Sequence, residues 1–231
     1  MARGERPLTL AVVTYLYRGA AGYRAEHANI LRRMVARHLS VPHAFWCVGD
    51  DPSGLDPEVR FHPCDASLLP LSGCYVKLEM WKREAGFFGS RILLLDLDTI
   101  IVGSLDELVA RPEPVVLYRD PLFGRAEGWL YNGAFVLMEP GARPEVWESF
   151  DPKSSPAAVK ASGLRLHDQA WLGMVLGPDM PVVTAADGVL SFKHDGVREL
   201  GAPPPHARIV FFHGRPKPWQ VDSAWIAEHY R

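Results

Sequence analysis

The residues best suited to chemistry are Asp96-Leu97-Asp98, two carboxylates directly after the apolar run Ile92 to Leu95 and directly before Thr99-Ile100-Ile101-Val102. An ionised carboxylate buried without a partner is costly, so the pair belongs at or near the mouth of a buried strand, and something cationic must neutralise it. On an extended chain an i, i+2 pair points to one face. Hard oxygen ligands of this kind suit Mg2+ or Mn2+ that also holds substrate phosphates. The same residues admit a second reading, in which one aspartate accepts backbone N–H groups at a strand end and the other pairs with an arginine.

The chain that must position this pair has 231 residues and is expected to form a single domain over 1–231, with the polar start MARGERP (1–7) as a flexible tail. A hydrophobic fraction of 48% against 23% charged excludes an intrinsically disordered or coiled-coil chain. The formal net charge of -2 removes the basic footprint that nucleic-acid binders need, so no nucleic-acid partner is expected. No window approaches the roughly 20 apolar residues that span a bilayer, so no transmembrane segment is expected either. Cys47, Cys64 and Cys74 form no C-x-x-C pair and read as reduced, buried thiols, which suits a cytoplasmic protein.

Apolar periodicity gives strands at Leu8 to Tyr15, Ala44 to Gly49 and Val59 to His62, with a helix carrying Ile30, Leu31, Met34, Val35 and Leu39 after the first. Tyr75 to Ala85 reads as a helix feeding Arg91 to Leu95, which should be a central strand because continuous apolar runs are buried on both faces. Val115 to Tyr118, Ala134 to Met138 and Arg208 to Phe212 follow as strands, and Leu166 to Leu176 as a helix. Asp151 to Gly163 reads as a mobile surface segment, and Asp222 as the cap of a closing helix. The alternation predicts an α/β fold with a Rossmann-like central sheet flanked by helices. In such sheets the ligand meets the carboxyl edge, which puts Thr14, Tyr15 and Tyr23 near a nucleotide, although Tyr15 equally suits the core.

The stretch Arg91 to Leu108, RILLLDLDTIIVGSLDEL, resembles the hydrophobic-DxD-hydrophobic signature of glycosyltransferase family 8, whose members have the GT-A fold. Four further stretches resemble that family in its order: Tyr75-Val76-Lys77-Leu78, Tyr131-Asn132-Gly133-Ala134, His167-Asp168-Gln169, and Phe212 to Trp219 (FHGRPKPW). The resemblance covers about residues 75–219. It implies a mixed α/β domain of GT-A type and metal-dependent transfer of a sugar, with retention of configuration, from a nucleotide-sugar donor, most often a UDP-hexose. The acceptor would be a glycan, a lipid-linked molecule or a small molecule. Mn2+ or Mg2+ would be held by Asp96, Asp98 and His213. Donor contacts would come from Lys77, Leu97, Asn132, Gly214 and Lys217. Asp168 would bind sugar hydroxyls and Gln169 would lie beneath the anomeric carbon, with Lys77 completing the catalytic set. His-Asp at a helix start is also an ordinary N-cap. Two positions depart from the family pattern. Phe211 stands where the metal-binding histidine is usual, leaving His213 beside Gly214, and the glycine of Asn132-Gly133-Ala134 comes one residue early.

Three rival readings stand. Asp96-Leu97-Asp98-Thr99 satisfies the D-x-D-x-T motif of haloacid-dehalogenase-like phosphatases, but Asp187 and Asp195 are wrongly framed to complete that site. A nucleotidyltransferase of related fold would need a Gly-rich basic loop after the first strand, which the sequence lacks. A non-catalytic binding module of the same fold would leave the metal site empty.

Overall fold

The computed structural model describes residues 9–18, 22–125 and 129–231; the tail expected over 1–7 lies outside the described residues. Arg91–Leu95 (β4) is buried at all five positions because its side chains serve two cores in alternation. Leu93 and Leu95 face one, Ile92 and Leu94 the other. This is the both-faces burial that its uninterrupted apolar sequence demands. On one side it pairs in parallel with β1 (Leu10–Leu16), which continues through β2 (His43–Gly49) to β3 (Arg60–Pro63). On the other it pairs antiparallel with β7 (Tyr131–Met138), followed by β6 (Val115–Arg119) and β8 (Val182–Val183). The resulting mixed sheet runs β3-β2-β1-β4-β7-β6-β8.

A second sheet of three short strands, β5 (Thr99–Ile101), β10 (Ile209–Phe211) and β9 (Val189–Ser191), lies in the order β5-β10-β9. It shares a hydrophobic core with α1 (Ala25–His38) and α7 (Ala224–His229). The opposite face of the large sheet is covered by α3 (Glu145–Glu148), α4 (Ser155–Ala161), α5 (Asp168–Leu176) and two 3-10 segments. The remaining helices are α2 (Asp106–Val109) and α6 (Val197–Leu200). The mixed α/β architecture expected from the sequence is therefore present.

Three local expectations need correction. The helix expected over Tyr75 to Ala85 is two 3-10 segments, Tyr75–Trp81 and Arg83–Phe87, divided by Lys82 in an extended conformation. Asp151 to Gly163 contains α4, held by Val159, which is fully buried. The residue that caps α7 is Ser223, not Asp222.

Candidate active site

Asp96 and Asp98 occupy the crossing from one sheet to the other. β4 ends at Leu95 and β5 begins at Thr99, so the three residues between form a turn, closed by Thr99 Oγ1 donating to the Asp96 carbonyl at 2.5 Å. The extended i, i+2 geometry that would aim both carboxylates to one face is thus absent. Asp96 N donates to Ala134 O of β7 at 3.2 Å, whereas Phe212 N, just beyond β10, donates to Asp98 O at 3.0 Å. One aspartate is tied to each sheet.

Each carboxylate has its own lysine, and among the described residues neither pairs with an arginine. Lys77 Nζ lies 2.6 Å from Asp96 Oδ1 and 3.3 Å from Gly133 O. Burial works to neutralise Lys77, but Asp96 and then Asp168 outweigh it and hold the ammonium well above the ordinary lysine range. Lys217 Nζ lies 2.5 Å from both Asp98 Oδ2 and the Tyr23 hydroxyl. Burial, then the charge of Asp96, pushes the Asp98 carboxyl above its usual range against the pull of Lys217 and Tyr23. Leu97 between them is buried in the core beneath α1.

A β-bulge brings Lys77 and the helix start together. Leu117 pairs with Val136 but Tyr118 with Asn132, so Gly133, Ala134 and Phe135 have no partner in β6. Bulges of this kind re-aim a strand locally. Asn132 holds this one, donating through Nδ2 to Asp120 Oδ2 at 3.1 Å while its Oδ1 accepts from Ala134 N at 3.0 Å. Its amide is spent on the fold. A Cβ on Gly133 would stand 3.2 Å from Asp168 Oδ2, 3.5 Å from Gln169 Cγ and 3.7 Å from Lys77 Nζ. The missing side chain is what lets these three groups meet.

Asp168 opens α5 and is almost fully buried, so its charge requires compensation. His167 Nδ1 lies 2.5 Å from Asp168 Oδ1, and Gln169 N donates to the same oxygen at 2.9 Å. Burial disfavours the imidazolium, yet Asp168 and then Cys74 raise His167 to about 10, while His167 and Lys77 hold Asp168 below the carboxylate range. A protonated Nδ1 donates to Asp168 and cannot also accept from Gln169 N at 3.5 Å, so the shorter contact defines the cap. His167, Asp168, Lys77 and Asp96 thus form a line of alternating charge. As a sequence motif His167 reads as part of an ordinary cap; only the contact with the buried Asp168 reveals its charge.

The closing loop adds more positive charge. Gly214 has φ +65°, and a Cβ there would meet Lys193 Nζ at 3.5 Å. Lys193 carries no motif and was not found from sequence; it lies close enough to feel Lys217 and Asp98. His213 is pushed down to about 3 by burial and then by His194, Lys193 and Lys217, so its ring is neutral, with Nε2 buried and unpartnered.

Of the expected site residues, Lys77 and Asp96 form one hydrogen-bonded pair and Tyr23, Asp98 and Lys217 a second group, with Asp168 and Gln169 meeting Lys77 across Gly133. Tyr15 takes its alternative place in the core, with its hydroxyl buried beside Glu79. Thr14 is fully buried mid-sheet with Oγ1 unpartnered. Among the described residues no three His, Cys, Asp or Glu side chains gather into a group able to hold a metal as they stand. The expected Asp96, Asp98 and His213 triad is therefore not assembled, because lysines fill the space at both carboxylates.

No family model and no curated protein matches the sequence. Solved structures do match by shape. The galactosyltransferase LgtC, in complex with donor and acceptor sugar analogs, superposes with a TM-score of 0.64 over 94% of each chain, at 13% identity. An active-site glutamine-to-glutamate mutant of LgtC gives 0.64 over 94% of this chain and 92% of that one, at 14% identity. The glycosyltransferase GlyE of Streptococcus pneumoniae gives 0.58 over 93% of this chain and 57% of that one, at 15% identity. The resemblance expected from the sequence therefore holds at the level of architecture: this chain has the GT-A fold of these glycosyltransferases.

Proposed function

We propose that the protein is a metal-dependent glycosyltransferase that takes a hexose from a nucleotide-sugar donor, a UDP-sugar, and transfers it with retention of configuration. The observation that carries this reading is the pair Asp96 and Asp98 at the junction of two sheets, each neutralised by a buried lysine and flanked by the Gly214 loop. Shape similarity to LgtC, a galactosyltransferase solved with donor and acceptor analogs, supports it.

The donor set suits a hard divalent ion. Asp96 and Asp98 would offer oxygens once Lys77 and Lys217 yield them, and His213, neutral but not gathered with them, would have to move to add its Nε2. Such an ion would stabilise negative charge on the leaving diphosphate. Lys217, freed from Asp98, turns its ammonium to a diphosphate oxygen, and Lys193 adds charge beside Gly214, where the chain has no side chain to obstruct approach. Lys77 and His167 keep Asp168 ionised as an acceptor for sugar hydroxyls. Gln169 presents its amide beneath the anomeric carbon; LgtC, a neighbour in shape, likewise has a glutamine in its active site. Among the described residues no carboxylate stands out as a base for the acceptor, so the departing phosphate oxygen takes the acceptor proton on the face it leaves, which retains configuration.

The phosphatase alternative loses its supporting residues. Thr99 is committed to the Asp96 carbonyl, Asp187 to Thr184, and Asp195 to the Ser191 backbone. Titration calorimetry with UDP, in Mn2+ and in chelator, tests the proposal. Binding that requires Mn2+ and vanishes in Asp98→Asn is expected; equal affinity in chelator overturns the metal-dependent reading.

A further inference from the structure

A cavity of about 350 Å³ opens beside Gln169, lined by Phe123, Trp129, Leu130, Leu164, Ala170 and Met174. Gln169 supplies its one side-chain amide among the described residues, and Gly173 also lines it, where an added Cβ would stand 3.5 Å from Leu130. The volume falls in the range of small-molecule sites. Phe123 and Met174 are 52% and 43% exposed, so the walls are reached directly from solvent. Trp129 is fixed as a wall by stacking on His167, 5.1 Å between ring centres, and Phe123 by the Arg119 guanidinium 4.6 Å above it.

Gln169 is therefore a boundary. Its Cγ approaches Gly133, beside Asp168 and Lys77, while its other flank belongs to an apolar chamber. A carbohydrate acceptor placed there would bring several hydroxyls to a lining with one side-chain amide, and each unpaired hydroxyl would cost binding energy. An alcohol with an aromatic or aliphatic body loses nothing of the kind. It would gain from burial against Phe123, Trp129 and Met174 and leave its single hydroxyl for the reacting centre beside Gln169.

We infer that this cavity is the acceptor site and that the acceptor is a hydroxylated aromatic or apolar small molecule rather than a sugar. This rests on the glycosyltransferase reading of the neighbouring cluster. The test uses the full chain with labelled methionine methyl groups and, as probes, naphthol, maltose and UDP with Mn2+. Naphthol should shift the Met174 methyl resonance and quench tryptophan fluorescence, with UDP bound at the same time, while maltose leaves Met174 unmoved. Met174→Glu, whose carboxylate can reach solvent, should weaken naphthol by about tenfold or more and leave UDP affinity unchanged. Maltose shifting Met174 in place of naphthol overturns the acceptor class, as does naphthol bound with equal affinity by Met174→Glu. Naphthol displaced by UDP overturns the acceptor assignment. If UDP itself fails to bind with Mn2+, the glycosyltransferase reading falls and the acceptor assignment with it, whatever naphthol does.

Discussion

Lys217 Nζ lies 2.5 Å from Asp98 Oδ2, although 119 positions separate them in the chain, and both side chains are largely buried. Lys217→Ala leaves a carboxylate that burial and Asp96 already push upward. Losing one partner of a buried pair costs about 3–5 kcal/mol, so the ligand-free protein should be destabilised on that scale at neutral pH. A carboxylate with a raised folded pKa binds its proton more readily folded than unfolded, so the loss grows as pH rises through the carboxylate range. Urea unfolding of both proteins in acid and at neutral pH measures it, and UDP affinity should drop by about 10- to 150-fold, the value of one charge-assisted contact.

Gly133→Ala tests whether close approach at the bulge is required. The new methyl meets Asp168 Oδ2 at 3.2 Å, so the Asp168 carboxylate must shift by a few tenths of an ångström. Turnover should fall by about tenfold or more, since small misplacements at a reacting centre are expensive, while melting drops only modestly. Wild-type turnover in a folded variant would remove the spatial argument.

His167 gives a pH signature. Its folded value of about 10 exceeds the unfolded value near 6.5, so its stabilisation is complete below about pH 6.5 and is lost as pH rises through about 10. The stability difference between wild type and His167→Gln should therefore be largest near neutrality and below, and shrink toward strongly alkaline pH. A difference independent of pH would mean that the imidazole acts only as a neutral cap.

Gln169→Ala should slow transfer by about 10- to 100-fold without abolishing it, the effect of one lost electrostatic contact. The first-formed anomer, read by NMR, should keep the donor's α configuration. An inverted product would exclude the front-face route.

The sequence carries the large sheet well, because β4 is apolar from Ile92 to Leu95 and α5 follows a recognisable cap. It carries the second sheet poorly, since strands of three residues, such as Val189–Ser191, are too short to show a period. The segment around Lys77 misleads because Tyr75, Val76 and Trp81 are weak helix formers held in 3-10 turns by burial on nearly every side. Asp96 and Asp98 are legible as charged residues directly after an apolar run, and Lys217 through the family resemblance of FHGRPKPW. Lys193 and the charged state of His167 are not, because both depend on neighbours distant in sequence.

The turn from Leu95 to Thr99 also makes the candidate site a fastening. Asp96 answers to β7 and Asp98 to the residue after β10, so a donor held by both bridges two separately hydrogen-bonded layers. Loading the site should therefore be felt as rigidity, with amide hydrogens of β9 and β10 exchanging more slowly in the presence of UDP and Mn2+, and Asp98→Asn should sever that mechanical link while leaving the large sheet as protected as before.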